Sequence, residues 1–235
     1  MRSIVIPAHN EADYLEATVR ELVTASRAAG DDFEVVVVEN GSSDSTLALA
    51  RELAAELPEV TVRTLAIADY GAALRDGLLA ARGDMVVTFD VDYFDLDFAR
   101  RATSLLERAP ETVIVVGSKR APGAHDTRPW PRRVVTAVFT TLVRTGFGLG
   151  VSDTHGMKAM RAAAVRAIAE ECCFTTDLFD TELILRAERA GLTVAELPVD
   201  VEERRPSRTR IWKRVPRTVV GLVRLRRLLH RPPAP

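Results

Sequence analysis

Three carboxylates follow an apolar run near the middle of the chain. The segment MVVTFDVDYFD occupies residues 85–95, and its acids are Asp90, Asp92 and Asp95. Carboxylate oxygens are ligands that Mg²⁺ and Mn²⁺ prefer, and a divalent cation relieves the repulsion between two acids held close together. We therefore predict that Asp90 and Asp92 bind one such ion, which would also bind the phosphate oxygens of a substrate. The alternative is that these acids only cap the helix that follows.

Other polar residues lie where other apolar runs end. These runs occupy residues 3–7, 33–39 and 112–117. In a parallel sheet the carboxyl ends of the strands share one edge, and ligands bind beyond that edge, so we expect these polar residues to converge. They are Pro7, His9, Glu11, Glu39, Asn40, Ser42, Ser118, Lys119 and Arg120. The turn at Gly41 leads into a helix N-terminus that would favour an anion, although it also fits an ordinary strand–helix junction.

The first half of the chain alternates between β-branched apolar runs and amphipathic segments. This alternation predicts an α/β fold of the Rossmann-like kind, with a mostly parallel central sheet and helices on both faces. The predicted strands are residues 3–7, 33–39, 60–65, 85–90 and 112–117. The predicted helices are residues 11–29, 43–57, 70–82 and 97–108.

The second half of the chain is less regular. Residues 118–133 are rich in Pro, Gly and charge, which predicts a long loop, and such loops in compact domains are usually functional or disordered. Further helices are predicted at 132–145, from 161 onward and at 179–191, and a strand interrupted by Pro198 is predicted at 192–203. Asp180 and Glu182 are candidate general bases, or else acids that stabilise a helix N-terminus.

Composition limits the class of protein. The chain has 235 residues, 47% of them hydrophobic, which suits one large domain with a hydrophobic core. It has no apolar window of about 18 residues, and its N-terminus lacks the apolar centre of a signal peptide. Cys172 and Cys173 are adjacent and favour a reducing compartment, so we expect a cytoplasmic protein. The absence of GxSxG, Walker-type and zinc-type motifs disfavours the corresponding hydrolase, ATPase and zinc-site classes.

Basic residues are concentrated at the C-terminal end. From Arg204 onward there are eleven Arg or Lys and no Asp or Glu, while residues 1–203 carry a net charge of −12. The apolar residues of this tail fall mostly on one helical face; they are Val215, Val219, Leu222, Val223, Leu225 and Leu229. We therefore divide the chain into a body, residues 1–208, and a basic amphipathic extension, residues 209–235, that suits an anionic lipid surface. The alternative is a helix docked on the body or on a partner.

Six sequence blocks occur in a familiar order. They are VIPAHNEADYL, VVVVENGSSDST, GAALRDGLLAARGDMVVTFDVD, VVGSKRAPG, SDTHGMKAMRAAAV and FDTELILRAERAGLTVAELPV. Over residues 2–208 the chain resembles inverting family 2 glycosyltransferases of the GT-A fold, in particular dolichol-phosphate mannose synthases and bacterial polyprenyl-phosphate glycosyltransferases. The resemblance implies an enzyme that moves a sugar from a GDP- or UDP-linked donor to a lipid-phosphate acceptor, with Mg²⁺ or Mn²⁺ as cofactor.

The resemblance also implies roles for individual residues. Asp90 and Asp92 would hold the metal, and Glu39 would contact the nucleotide base. The nucleotide-sugar site would comprise Pro7, His9, Asn10, Glu11, Glu39, Asn40, Asp90, Arg204, Arg205 and Ser207. The acceptor site would comprise Ser118, Lys119, Arg132, Arg133 and Asp153. The residues nearest the reaction would be Asp92, Lys119, Arg120, Arg133 and Asp180.

Some positions match the family pattern and others depart from it. Lys158 ends a matching block that begins at Asp153. Asn40 stands where the family has an acid, and the Tyr70–Gly71 pair stands where Lys–Gly is common. Lys119 replaces Arg, which removes bidentate phosphate binding there unless the neighbouring Arg supplies it.

Two other functions remain open from the sequence. The same donor chemistry could serve a soluble hydroxyl acceptor, in cell-envelope or natural-product synthesis, and a general base would then be useful. The chain could also be a non-catalytic nucleotide-sugar binding protein. We expect no nucleic-acid partner, peripheral contact with the inner face of the cell membrane through the C-terminal helix, and compatibility with a homo-oligomer.

Overall fold

The computed structural model of the protein describes residues 1–124, 130–176, 178–200 and 211–229. The strands are β1 (Arg2–Ala8), β2 (Phe33–Asn40), β3 (Val60–Leu65), β4 (Met85–Thr88), β5 (Thr112–Ser118), β6 (Lys158–Arg161) and β7 (Thr193–Pro198). The helices are α1 (Leu15–Ala28), α2 (Thr46–Glu56), α3 (Tyr70–Ala80), α4 (Leu96–Arg108), α5 (Trp130–Phe147), α6 (Ala162–Glu171), α7 (Phe179–Arg189) and α8 (Ile211–Leu229). In these ranges, no helix combines the length and apolar content needed to cross a bilayer.

The strands form one sheet in the order β3-β2-β1-β4-β6-β5-β7. Neighbouring strands are parallel except on the two sides of β6, which runs antiparallel between β4 and β5. The α/β class and the mostly parallel sheet predicted from the sequence are therefore confirmed. β6 is not among the predicted strands, because KAMR has only four residues and α6 follows it at once.

Alternate residues of the central strands contribute to two hydrophobic cores. Ile4 and Ile6 of β1 pack with α1, α2 and α4 in one core, whereas Val5 packs with α3, α6 and α7 in the other. Successive side chains of a strand point to opposite faces of its sheet, which produces this division. In the second core, α8 contributes Leu222 and Leu225, and both are buried.

The pairing of β1 sets the position of the predicted ligand-binding edge. β1 pairs with β2 as far as Ala8, which lies opposite Glu39, but with β4 only as far as Val5, which lies opposite Thr88. The order of the strands along the sheet reverses between β1 and β4, and open α/β sheets bind ligands at such a point. The segments that follow β1, β2 and β4 therefore emerge side by side at this edge.

Two predicted boundaries at this edge are wrong by several residues. α1 begins at Leu15 rather than at residue 11, because residues 9–14 form a turn. β4 ends at Thr88 rather than at residue 90, because the chain turns back directly after the strand. Both changes leave more irregular backbone at the edge than the sequence predicts.

Boundaries in the second half also move. α5 begins at Trp130, two residues before its predicted start, and residues 125–129 of the predicted loop lie outside the described residues. β7 ends at Pro198, and residues 201–203 of the predicted strand lie outside the described residues.

A glycine in the middle of α3 sets how closely that helix approaches the sheet. A Cβ on Gly77 would lie 2.3 Å from Val5 Cγ1 and 3.0 Å from Val38 Cγ2. Because Val side chains are stiff, we expect Gly77→Ala to lower the free energy of unfolding by about 1–3 kcal/mol, the usual cost of overpacking. Urea denaturation of the purified chain measures this change.

The matched control is Gly146→Ala in α5, where an added Cβ has no neighbour within 4 Å. Ala favours a helix over Gly by roughly 1 kcal/mol, so this variant should be neutral or stabilising. Equal unfolding free energies for the two variants would contradict the packing argument.

Candidate active site

The turns after β1 and β2 are joined by hydrogen bonds. His9 Nδ1 lies 2.9 Å from the carbonyl oxygen of Asn40. The side-chain Oδ1 of Asn10 accepts a hydrogen bond from the backbone amide of Ser43 at 2.8 Å. The backbone amide of Asn10 donates to Ser42 Oγ at 3.0 Å. Asn10 has a φ of 55°, a left-handed conformation that Asn tolerates better than most residues. The two turns therefore form one connected unit, as predicted for the ends of neighbouring strands.

Buried acids belong to this unit. Glu39, near the end of β2, is buried and accepts the amide of Ser42 at 2.5 Å. Glu11 is also buried, and its amide donates to Thr46 Oγ1 at 2.8 Å. Asp44 accepts the amide and the hydroxyl of Thr46 at 3.0 and 2.5 Å. A carboxylate of the chain itself thus accepts the amide of the first residue of α2, which fits the ordinary strand–helix junction considered above.

The three acids after β4 have different surroundings. Asp95 is the N-cap of α4 and accepts an amide of the first turn of that helix at 3.0 Å, so it has the structural role. Asp90 accepts a hydrogen bond from the Tyr70 hydroxyl at 3.4 Å. Withdrawal from water, together with the negative charges of Asp92 and Asp180, raises the pKa of Asp90 to about 6. The charged form of Asp90 is therefore disfavoured both by burial and by its acidic neighbours.

A buried ion pair lies beside these acids. Lys158 is the first residue of β6, and because β6 is antiparallel, its first residue reaches the edge where the other strands end. Lys158 Nζ lies 2.8 Å from Asp180 Oδ1, and both side chains are almost completely buried. Asp180 Oδ2 accepts no hydrogen bond within the described part of the chain. Asp180 therefore balances a buried ammonium group, and its charge also acts on Asp90.

Sequence reasoning assigned no contact in this site to Tyr70 or to Lys158. Tyr70 is visible in the sequence only as a departure from the family pattern, and Lys158 only as the end of a matching block. A Lys that opens an apolar strand is a signal of a buried ammonium group, and a buried charge needs an acidic partner. Which acid fills that role depends on tertiary contacts.

Ser118 and Lys119, at the end of β5, belong to a second polar group. Lys119 Nζ lies 3.0 Å from Asp153 Oδ2 and donates to the carbonyl of His155 at 3.1 Å. Asp153 is buried, and its Oδ1 accepts the amide of His155 at 3.1 Å. Ser118 Oγ lies 2.9 Å from Ser152 Oγ. The structure thus brings Ser118, Lys119 and Asp153 together, with the charge of Lys119 paired to that of Asp153.

The other basic residues of the prediction are Arg120, Arg132, Arg133, Arg204 and Arg205. Arg120 and Arg133 are exposed. Arg132 lies in the first turn of α5, where only its backbone is described. The residues of the tail that are predicted to bind the donor lie outside the described residues; they are Arg204, Arg205 and Ser207.

Glu182, the second candidate base, has contacts with the connection between α6 and α7. It is fully buried and accepts the amides of Cys173 and Phe174 at 2.9 and 2.8 Å. It also accepts Arg186 Nε at 2.8 Å. These bonds hold the Glu182 carboxylate within its own part of the chain, whereas the charge of Asp180 raises the pKa of Asp90.

Residues 3–169 match the family described as Glycosyl transferase family 2. The chain is 37% identical over 211 residues to the glycosyltransferase AglD of Haloferax volcanii, a match that covers 85% of this chain and 33% of that protein. It is 31% identical over 210 residues to an undecaprenyl-phosphate mannosyltransferase of Micrococcus luteus, with 85% of this chain and 83% of that protein covered. The chain thus spans only a third of the length of AglD but most of the Micrococcus protein.

A solved structure has the same fold. Glucosyl-3-phosphoglycerate synthase from Mycobacterium tuberculosis, in complex with Mn²⁺, UDP and phosphoglyceric acid, matches with a TM-score of 0.68 at 21% identity. The match covers 96% of this chain and 78% of that one. The fold class and the family resemblance predicted from the sequence are confirmed. By its sequence match and its fold, the chain belongs to glycosyl transferase family 2.

Proposed function

We propose that this chain is the catalytic part of a metal-dependent, inverting glycosyltransferase that moves a sugar from a nucleoside-diphosphate sugar to a polyprenyl phosphate. The observation that carries the proposal is the acid pair Asp90 and Asp92, which follows β4 beside the joined turns of β1 and β2. Membership of family 2 supports sugar transfer, and the name of the Micrococcus relative supports a lipid-phosphate acceptor.

Two observations support a divalent cation at Asp90 and Asp92. Burial and the nearby charges of Asp92 and Asp180 raise the pKa of Asp90, and a cation would offset both by stabilising the ionised pair. The structural relative from Mycobacterium tuberculosis binds Mn²⁺ together with UDP. The described residues contain no cluster of three or more His, Cys, Asp or Glu suited to a metal, so diphosphate oxygens and water would complete the coordination, as is typical of Mg²⁺. When bound, such an ion offsets the charge of the departing nucleoside diphosphate.

The nucleotide would lie over the joined turns of β1 and β2. Hydrogen bonds within this unit hold His9 and Asn10 in place before any ligand binds, which lowers the entropic cost of binding. Asn40 is buried, and its side-chain amide donates to the carbonyl of Ala8 at 3.1 Å. We infer that Asn40 supports the site by tying β2 to β1, while Glu39 is the acid nearest to the nucleotide base.

The contacts of Asp180 favour a phosphate acceptor over a hydroxyl acceptor. A phosphate monoester is already ionised at neutral pH, so it can attack without a general base, whereas a hydroxyl benefits from one. Asp180 is buried, and its Oδ1 is already engaged by Lys158 within the protein at 2.8 Å. The exposed guanidinium groups of Arg120, which follows Lys119 in the sequence, and of Arg133 would bind the acceptor phosphate.

Two helices support contact with a membrane that contains the acceptor. α5 exposes Val134, Val138 and Leu142 at a spacing of four residues, and α8 exposes Val219, Val220 and Val223. The two helices lie in contact, and neither contains Asp or Glu. Apolar side chains interspersed with arginines on a helix surface suit the interface of an anionic bilayer. We therefore infer a peripheral protein at the inner face of the cell membrane.

Asp92→Asn tests the role of the acid pair. With Mn²⁺, a short-chain polyprenyl phosphate and either UDP-glucose or GDP-mannose, we expect turnover to fall by about 10²-fold or more, the usual loss when one stabiliser of a developing charge is removed. Asp97→Asn is the control, because that acid is exposed on α4 and pairs only with Arg101 among the described contacts. Undiminished turnover in Asp92→Asn would refute the proposal, and transfer only to soluble hydroxyl acceptors would favour the alternative function.

Charge substitutions on the exposed stripes test membrane contact. We expect Val138→Glu and Val223→Glu each to weaken co-sedimentation with phosphatidylglycerol vesicles by about tenfold, because each replaces an apolar contact with a repelled charge. Leu79→Glu, at an exposed apolar position of α3, should bind as the wild type does. Equal binding by all three variants, or equal binding of the wild type to phosphatidylcholine vesicles, would contradict this interface.

The metal-free protein should be more stable without the Asp90 charge. The folded-state pKa of Asp90, about 6, lies above the unfolded value of 3.8, so ionisation penalises the folded state at higher pH. We expect Asp90→Asn to raise the free energy of unfolding by on the order of 1 kcal/mol at pH 7.5, measured with EDTA present. At pH 5 the gain should shrink, because the wild-type group is then largely protonated in the folded state.

The control is Asp32→Asn, whose side chain is 80% exposed near the opposite end of the sheet. It should change the free energy of unfolding by less than about 0.5 kcal/mol at either pH. A loss of stability in Asp90→Asn at pH 7.5 would show that the charge of Asp90 is compensated within the metal-free chain.

A further inference from the structure

The two faces of α8 have different surroundings. Val219 and Val223 are exposed, whereas Leu222 and Leu225 are buried in the core that contains α3, α6 and α7. The Arg189 guanidinium donates to the carbonyl of Leu229 at 2.7 Å and so attaches the end of α8 to α7. α8 is therefore packed against the body through one face and open on the other.

The packed face of α8 contacts the connection between α6 and α7. A Cβ on Gly221 would lie 2.3 Å from Leu178 Cδ1 and 3.8 Å from Phe174 Cε1, so a larger residue at this position would require the buried Leu178 side chain to move. Three residues further along α8, the guanidinium of Arg224 lies 5.6 Å from the centre of the Phe174 ring, in cation–π contact. α8 thus holds this connection at both Phe174 and Leu178.

The other side of the same connection rests on the first turn of α3. The amide of Ala72 donates to the carbonyl of Thr175 at 2.8 Å, and Thr175 Oγ1 donates to Asp69 Oδ2 at 2.7 Å. A Cβ on Gly71 would lie 2.3 Å from the Thr175 carbonyl oxygen, so the two backbones are in direct contact. The connection is therefore held between α8 and α3.

The elements on both sides of this connection, α3 and α7, carry residues that act on the candidate metal site. Tyr70 lies between Asp69 and Ala72, which both hydrogen-bond to Thr175. The Tyr70 hydroxyl donates to Asp90. Leu178 directly precedes α7, which carries Asp180 in its first turn. A displacement of the connection would thus move a donor to Asp90 and one of the charges that act on it.

We propose that α8 is a positioning element of the candidate active site: by packing Gly221 against Leu178, it holds the α6–α7 connection on α3 and so fixes the contact of Tyr70 with Asp90. This role is separate from lipid binding, because it belongs to the buried face of the helix and needs no membrane. The expected effect on nucleotide binding rests on the proposed function. The expected effect on the first turn of α3 can be measured without any ligand.

The experiment compares Gly221→Val with Gly146→Val in the full chain, without lipid. Both change a helical Gly to the same residue, but only the first would meet a neighbour. By titration calorimetry, we expect the affinity for UDP or GDP with Mn²⁺ to fall by about tenfold in Gly221→Val, within the range for directly coupled residues, and by less than about twofold in Gly146→Val. In amide hydrogen exchange by NMR without ligand, Ala72 should lose protection in the first variant only.

A compensating variant separates positioning from a general loss of folding. Leu178→Ala combined with Gly221→Val exchanges similar volumes across the contact, so both Ala72 protection and nucleotide affinity should recover toward the wild type. If Gly221→Val keeps wild-type protection at Ala72, or if the double variant fails to recover it while remaining folded, the positioning role is refuted. If the wild type itself binds neither nucleotide, the proposed function fails, and the exchange data alone decide the positioning role.

Discussion

The parallel pairing of β1 with β2 on one side and with β4 on the other is the constraint on which the rest of the structure depends. Because the three strands run in the same direction, the segments that follow them must emerge at one edge of the sheet. The pairing of β1 with β4 stops at Val5, while its pairing with β2 continues to Ala8. The acids after β4 therefore lie beside the turns of β1 and β2, and the geometry of the site follows from the order of strands.

The charged side chains at this edge form two groups. In one group the positive and negative charges are paired, and in the other the acids outnumber the basic residue. On the side of β5, Lys119 is paired with Asp153, and a ligand there must rely on the exposed arginines for attraction. At the end of β4, burial and the charges of Asp92 and Asp180 raise the pKa of Asp90, and the ammonium group of Lys158 lowers it. An excess of buried negative charge is costly unless a cation joins it. The same edge can thus receive a metal with its diphosphate at one end and an acceptor phosphate at the other.

How much of this the sequence predicts depends on whether a feature is local. Long β-branched runs and strand–helix alternation are local, so the fold class and the convergence of strand ends could be predicted. β6 could not, because its strand conformation comes from its partners on both sides rather than from its four residues. Asp90 and Asp95 look alike in the sequence, yet one has a raised pKa and the other caps a helix. The raised pKa arises from burial and from the charges of Asp92 and Asp180, and Asp180 is distant in sequence.

The C-terminal helix also has a feature that local sequence does not predict. Its periodicity predicts one apolar face, but periodicity alone does not tell which residues meet the protein and which meet something else. In the structure, Leu222 and Leu225 complete the core, and Val219 and Val223 remain outside it. Apolar side chains that lie outside the core do not stabilise the protein in water. An anionic bilayer can stabilise such side chains where arginines lie beside them. Under the proposed membrane contact, the packing of Gly221 against Leu178 would also set the height of the candidate site above the lipid surface.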